Sequence, residues 1–393
     1  MNKYRTYLSD FRTLLGLWVL LPIVSWLLKA FGASHYYNNF LIYRYVYWHT
    51  VQGSSLYAPC SFHEDVNHYG PFFSLIIAPF AIPPVWLGLL FWLVSLSLLL
   101  YLTVRHSSFS RYQQLFILWF CAHELFTALE MQQFNIAVVA LIVLSYTLIE
   151  KERDFWAALC ICLGAFVKLY GIMGLAFILF SKHQGKLVLS LLFWGLVMFI
   201  APMLISSPDY VVSQYSEWYN SLTCKNADNL FSYYQNISLL GMVRKISGIS
   251  TYSDLWLLAP GSLLYALPFL RFSQYQYAAF RQTLLASVLL VVVIFSTGSE
   301  NSSYIIALVG VVIWYTAAPW SRGKVDLCLM VLVFVLSSLG HSDLFPSYIR
   351  NTIIRPYALK ALPCVIVWLK LCYELYIKNY APIGELNKNK NVI

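Results

Sequence analysis

Residues 13–32 read TLLGLWVLLPIVSWLLKAFG, twenty residues whose single charge, Lys29, sits near the far end. At about 1.5 Å of rise per residue the run makes a helix of about 30 Å, the thickness of the hydrocarbon core of a bilayer. Lys3, Arg5 and Arg12 precede it, and positively charged flanks stay on the cytoplasmic side. The run exceeds the apolar core of a secretory signal and carries no clear small-x-small cleavage pattern. A retained first span and a cytoplasmic N-terminus are therefore expected.

The pattern then recurs. Apolar segments lie near residues 84–104, 112–129, 134–150, 155–171, 172–182, 187–205, 254–271, 282–297, 303–319, 325–340 and 361–377. With the first run they give about twelve spans, an even number that returns the tail bearing Lys388 and Lys390 to the cytoplasm. Alternating them places Arg105, Arg111, Lys151, Arg153, Lys182, Lys186, Arg271, Arg281, Arg322 and Lys324 inside, which obeys the positive-inside rule throughout. Residues 71–83 are apolar but only about 20 Å long as a helix, and Gly70-Pro71 and Pro83-Pro84 bracket them. A re-entrant or interfacial segment packed on protein is expected there, because a further crossing would invert every later loop. The chain thus reads as one all-α transmembrane domain, 1–393, with both termini cytoplasmic and long outer loops at 33–70 and 206–253.

Composition supports this reading. Hydrophobic residues make up 60% of the chain and charged residues 11%, against about 25% charged in a soluble domain. The net charge of +9 comes without a basic cluster interleaved with exposed aromatics, so a nucleic-acid groove is excluded as a class. The 13 Trp and 29 Tyr suit interfacial belts at helix ends. No fixed-period repeat and no inverted pair of broken helices stands out, which weighs against a secondary transporter. Of the eight cysteines, six fall in the apolar segments. Cys60 and Cys224 lie in the outer loops, open to a disulfide, with two unpaired thiols the preferred reading.

Polar residues gather on the outer side of this topology: His63-Glu64-Asp65-Val66-Asn67-His68-Tyr69, then Glu130, Gln132-Gln133 and Asn135, then Lys168, Gln235-Asn236, Glu300-Asn301 and the loop from Asp343 to Arg355. Ionisable groups at membrane depth are costly, so each is a functional candidate. Lys168, one turn from the outer end of its apolar helix, is suited to hold an anionic phosphate or to snorkel to the headgroups. Glu124, mid-helix beside His123, reads as a packing contact in preference to a proton relay. Gln133-Phe134-Asn135 reads as a helix cap ahead of a sugar-binding element.

The order of short motifs carries a resemblance. A long first outer loop with Gly53-Ser54-Ser55-Leu56-Tyr57 is followed by Asp65 and Tyr69-Gly70-Pro71. Then come Gln133-Phe134-Asn135, a small-residue helix ending in Lys168, and Gln235-Asn236-Ile237-Ser238 before Arg244. Over about residues 36–364 this resembles glycosyltransferase family 87, multi-helix enzymes of the GT-C superfamily that use a polyprenyl-phosphate-linked sugar as donor. Where many relatives carry an Asp at the start of the first outer loop, this chain has Asn38-Asn39.

The resemblance implies transfer of a sugar, mannose or a related hexose, to an acceptor hydroxyl on the extracytoplasmic face of a bacterial inner membrane, in cell-envelope glycan or glycolipid synthesis. The implied partners are the bilayer, the lipid-linked donor and a glycan or glycolipid acceptor, with no separate cofactor. Such chemistry needs a carboxylate to take the acceptor proton and cations to meet charge on the leaving phosphate. Asp65 is the first candidate base, with Glu64 and Glu130 behind it. Lys168, Arg244 and Arg350 are the phosphate candidates, although Arg244 beside Lys245 also reads as a solvated loop pair, and Arg350 with Arg355 and Lys360 as headgroup contacts. Gln133, Asn135, Asn236 and Glu300 are the sugar-binding candidates, and Glu300 is also a reserve base. His63, His68 and Asp65 are too thin a set for a metal site, and none is assigned. The rivals are a lipid or polysaccharide transporter, whose polar residues would line a midplane cavity, and a surface-polysaccharide polymerase or ligase.

Overall fold

A computed structural model describes residues 9–32, 37–249 and 251–382. Lys3, Arg5, Lys388 and Lys390, on which part of the charge argument rests, lie outside the described residues. In chain order the helices are α1 (Phe11–Phe31), α2 (Asn38–Gln52), α3 (Phe73–Ala81), α4 (Val85–His106), α5 (Arg111–Phe120), α6 (Ala122–Glu130), α7 (Asn135–Glu150) and α8 (Asp154–Val167). A 3-10 segment, Leu169–Phe180, leads to α9 (Gln184–Ile200), α10 (Pro208–Asp228), α11 (Leu239–Ser247), α12 (Leu255–Ala266), α13 (Ala278–Ile294), α14 (Tyr304–Ala317), α15 (Lys324–Leu332) and α16 (Ala361–Ile377). No strand occurs among the described residues. Phe11–Phe31, Val85–His106, Gln184–Leu204 and Lys324–His341 are long and apolar enough to cross a bilayer, and shorter apolar helices fill the intervals. The protein is a polytopic helical membrane protein.

The chain divides into two compact units. One comprises the chain through Phe109 and Leu125–Ala227, the other Ser110–Glu124 and the chain from Asp228 on. In the first, α1 packs on α4, α4 on α7, α7 on α8, and α8 on both the 3-10 segment and α9. Almost every residue of α7 is buried, whereas α1 and α9 leave most of their apolar side chains uncovered. Helices apolar all round belong either in a core or against lipid, and α7 and α9 illustrate the two cases. In the second unit α13 and α14 pair and are buried on nearly all sides, with α16 against both.

The spans fall within a few residues of the apolar segments, with three informative differences. Residues 112–129 form two helices, α5 and α6, with the joint at Cys121. Residues 155–182 break at Lys168, not after Gly171, and the second piece is 3-10. At about 2.0 Å per residue its 12 residues reach about 24 Å, against about 18 Å as α-helix, so a very short segment covers much of the bilayer depth. The two long loops, 33–70 and 206–253, also hold helices, α2 in the first and α10 and α11 in the second. These mix polar and aromatic residues, so no long apolar run marks them, yet α2 buries the stripe Phe40, Tyr43, Val46 and Thr50. Residues 71–83 hold α3, nine residues with Pro79 inside, about 14 Å and too short to cross.

A close glycine contact permits the α8 turn-back. A Cβ on Gly164 would stand 2.6 Å from the Gly171 Cα, so the backbones touch only because neither residue carries a side chain. Gly195 in α9 has nothing within 4 Å of its Cβ position. Two glycine-to-alanine changes should therefore have opposite signs. Gly164→Ala should cost about 1–3 kcal/mol through overpacking, while Gly195→Ala should add up to about 1 kcal/mol through helix propensity. Thermal midpoints in detergent check both, and an equal response would reject the close-contact account.

Candidate functional site

In the first unit the 53–57 motif and the 63–71 segment are pinned to α10. The Ser55 hydroxyl donates to Glu217 (2.6 Å), the Leu56 amide to Gln214 (2.8 Å) and the Tyr210 hydroxyl to the Ser54 carbonyl (2.7 Å). Trp218 donates to the His68 carbonyl (2.9 Å), and His68 meets Ser221 at 2.8 Å. Burial, reinforced by Tyr215, Tyr210 and Glu217 nearby, holds the Tyr57 hydroxyl well above its ordinary range. It stays a donor, bonded to the Tyr69 carbonyl at 2.9 Å. None of the α10 partners stands out in the sequence, since nothing local marks Gln214 or Glu217 as reaching across the chain.

Tyr69-Gly70-Pro71 docks on the open end of α8. The Gly70 amide donates to the Val167 carbonyl at 3.1 Å, and a Cβ at Gly70 would run into the Phe166 carbonyl. Beside it, the Gln133 side-chain oxygen accepts from Tyr43 (3.0 Å) and Tyr69 (2.9 Å), whose hydroxyls lie 3.1 Å apart. Asn67 clasps the Tyr69 backbone through both ends of its amide, at 2.9 and 3.0 Å. Lys168 stands at the break itself with extended backbone. Its ammonium donates to Asn135 at 2.8 Å and lies 5.1 Å from the Tyr170 ring and 5.7 Å from the Tyr69 ring, within cation–π range. Gln133, Asn135 and Lys168 therefore share one cluster with Tyr69. Asn135 does not cap its helix: it is the first residue of α7, fully buried, with its side chain turned to Lys168.

The acids separate. Asp65 sits in an exposed turn, its carboxylate 56% exposed, 3.5 Å from the Lys225 ammonium and accepting from the Val66 amide at 2.8 Å. Glu64 is exposed beside it, its amide bonded to Asn38. Glu130 is ion-paired with Lys29 at 3.1 Å and terminates α6. Gln132 is the hinge of that corner: its φ of 52° puts it in the left-handed region, its side-chain oxygen accepts from Phe40, and its carbonyl accepts from Trp92.

In the second unit Asn236 is buried in the left-handed region, its amide engaged by the Leu230 carbonyl (3.2 Å) and Ser238 (2.8 Å). Arg244 is not a solvated loop residue. It is buried against Asp254 at 2.7 Å and over the Tyr252 ring at 4.3 Å. Glu300 is buried and is itself the N-cap of the turn Asn301–Ser303: its carboxylate accepts from the Ser303 amide, and its own amide donates to the Ser303 hydroxyl at 3.2 Å. It lies 3.5 Å from Gln235, whose carbonyl accepts from Lys245 at 3.0 Å. Arg350 reaches the Ser342 carbonyl (2.7 Å) and the exposed Asp343 (2.5 Å). Lys360 is no headgroup ligand: it is fully buried and ion-paired with Glu124 at 2.7 Å. Glu124 reads in sequence as a packing contact, and its partner 236 residues away leaves no local trace.

Among models of protein families, that of glycosyltransferase family 87 matches residues 67–297. No curated protein matches. The matched span takes in Tyr69, Gln133, Asn135, Lys168, Asn236 and Arg244, and begins just after Asp65.

Lys245 supplies a pH test of the second cluster. Burial draws its ammonium down from 10.5 to about 8. Between those values the unfolded chain binds more protons at this site than the folded one, so the stability it contributes rises with pH across that window and is lost as pH falls to 8. The thermal midpoint of the native protein, measured against Lys245→Met, should climb between pH 8 and 10.5. A difference independent of pH would mean that Lys245 titrates as a surface lysine.

Proposed function

The chain belongs to glycosyltransferase family 87, and from that premise we propose that it transfers a hexose, mannose or a close relative, from a polyprenyl-phosphate donor to an acceptor hydroxyl at the extracytoplasmic face of a bacterial inner membrane. The observation that carries this reading is the Lys168 cluster. A lysine is held by Asn135 at the break in an apolar helix, between the rings of Tyr69 and Tyr170. A cation there suits a phosphate whose lipid tail lies among apolar helices, and the aromatic and amide groups beside it suit a sugar.

In the reaction the acceptor oxygen forms a bond to the anomeric carbon and gives its proton to a carboxylate. The bond from that carbon to the phosphate oxygen breaks, and polyprenyl phosphate leaves with the electron pair. Lys168 meets the charge developing on that phosphate. In the second unit Arg350 is anchored by Ser342 and Asp343, and Arg244 holds its own loop against Asp254. Asp65 is the base: Glu300 is buried and Glu130 is held by Lys29 at 3.1 Å, whereas Asp65, although 3.5 Å from Lys225, keeps its side chain 56% exposed to an acceptor. Glu64 stands next in line. Within the first unit Gln133 and Asn135 are the residues suited to a sugar; within the second they are Glu300 and Asn236, the latter through the turn it closes.

Purified protein given radiolabelled polyprenyl-phosphate sugars and a panel of acceptors should transfer label. No transfer with any donor, together with lipid flux in liposomes, would replace the enzyme by a transporter. Asp65→Asn should lower turnover by about 10²–10⁴-fold with donor binding retained, and native turnover would move the base to Glu64. Cys224 is an exposed thiol. An impermeant maleimide should label it in intact spheroplasts and fail to label Cys224→Ser, whereas labelling only after permeabilisation would reverse the sidedness.

A further inference from the structure

Lys360 and Glu124 are fully buried in the second unit, with no side-chain exposure on either partner. Two charges in a dry interior are costly to hold, and a pair of apolar side chains of similar volume is often at least as stable. What the apolar pair cannot do is donate. Beyond its bond to Glu124, the Lys360 ammonium donates to the Asn301 side-chain oxygen (2.5 Å) and to the Asn301 backbone carbonyl (3.1 Å). All three of its protons are used, two of them on one residue. Asn301 follows Glu300 and opens the short turn Asn301–Ser303, which Glu300 caps, its carboxylate accepting from the Ser303 amide.

The turn is held from the other side as well. The Ile237 amide donates to the Ser299 carbonyl at 2.8 Å, and Tyr304, whose ring lies 4.7 Å from the Lys360 ammonium, donates through its hydroxyl to the Ile237 carbonyl at 2.9 Å. The Lys360 backbone is fixed in turn, its carbonyl accepting from Ser337 at 2.7 Å within the π-helical stretch Val333–Ser338. A π-helical turn of this kind often accompanies a functional site.

We propose that Lys360 is a positioning residue of the transferase. Paired with Glu124, it clamps Asn301 and thereby sets the Glu300 carboxylate, which caps the same turn, for its role towards the sugar, an inference that rests on the reading of Glu300 given above. Glu124 is the counter-charge that lets an ammonium sit there.

The test separates positioning from mere support. Lys360→Met alone strands a buried carboxylate and is expected to fold poorly. The informative variant is therefore Lys360→Met with Glu124→Leu, which removes both charges and leaves Asn301 without its donor. With tritiated polyprenyl-phosphate mannose as donor, this pair should keep a thermal midpoint within a few degrees of native yet lose turnover about tenfold or more, with the donor KM little changed. Added to Glu300→Gln, it should cause no further loss, because both act on one group. If Glu300→Gln is slow but the apolar pair turns over at the native rate, the clamp is only structural and the proposal falls. If the two losses multiply, Lys360 acts by some route other than Glu300, which also overturns it. Native turnover in Glu300→Gln itself would remove Glu300 from the site and take the proposal with it.

Discussion

A helix that ends among apolar neighbours leaves its last carbonyls without partners unless other parts of the chain supply them. The end of α8 is such a place, and the first unit is arranged around it. The Lys168 amide closes on the Gly164 carbonyl at 2.9 Å. The 3-10 segment starts where the Gly171 amide bonds to the Lys168 carbonyl, and the Val167 carbonyl is taken by Gly70 from another part of the chain. Each closure demands a glycine, because a Cβ on Gly70, Gly164 or Gly171 would meet backbone. The segment that supplies the missing donor also carries Tyr69, so closing the helix end delivers an aromatic ring within 5.7 Å of the Lys168 ammonium. Backbone satisfaction and the chemistry of the cluster depend on the same few residues.

How far the fold can be read from sequence follows from what hydropathy measures. It registers length and apolarity, so the spans emerge with nearly the right limits, from Val85–His106 to Ala361–Ile377. It does not distinguish an α-helical from a 3-10 backbone, which is why Lys168 reads as part of a helix when it stands at a break. Nor does it register α2 or α10, whose burial is one-sided, along Phe40, Tyr43 and Val46 in the one and Val211, Gln214 and Trp218 in the other. The candidate site is legible as residue types and illegible as pairs. Lys168 and Asn135 each stand out, but not that one holds the other. Arg244 and Lys360 are recognisable as cations, and only the packing shows that both are buried against carboxylates.

The charges counted by the positive-inside rule have specific partners in the second unit. Arg322, counted for its sign, donates from a single nitrogen, Nη1, to both oxygens of Glu374 at 2.9 and 3.0 Å and lies 4.4 Å from the Trp314 ring, while Trp314 donates to the same carboxylate at 2.8 Å. Lys370 joins Asp326 at 3.2 Å and Glu374 at 3.5 Å. Arg271 reaches the carbonyls of Leu375 and Lys378. A rule about which side a charge occupies says nothing of its partner, yet here the partner fastens one helix end to its neighbours.

Taken together, these pairs answer a problem that apolar packing leaves open. Lipid tails are as apolar as leucine, so burying α16 against α13 and α14 gives little preference for one depth over another. Lys360 immediately precedes α16 and Glu374 lies near its end, about 21 Å apart at helical rise. Each is locked to a different neighbour, Glu124 at one end and Arg322 at the other. Sliding α16 by a single turn would break both pairs and leave charges buried without partners, a far larger penalty than any loss of van der Waals contact. Two ion pairs therefore set the axial register of the helix, and with it the height at which Lys360 presents its ammonium to Asn301.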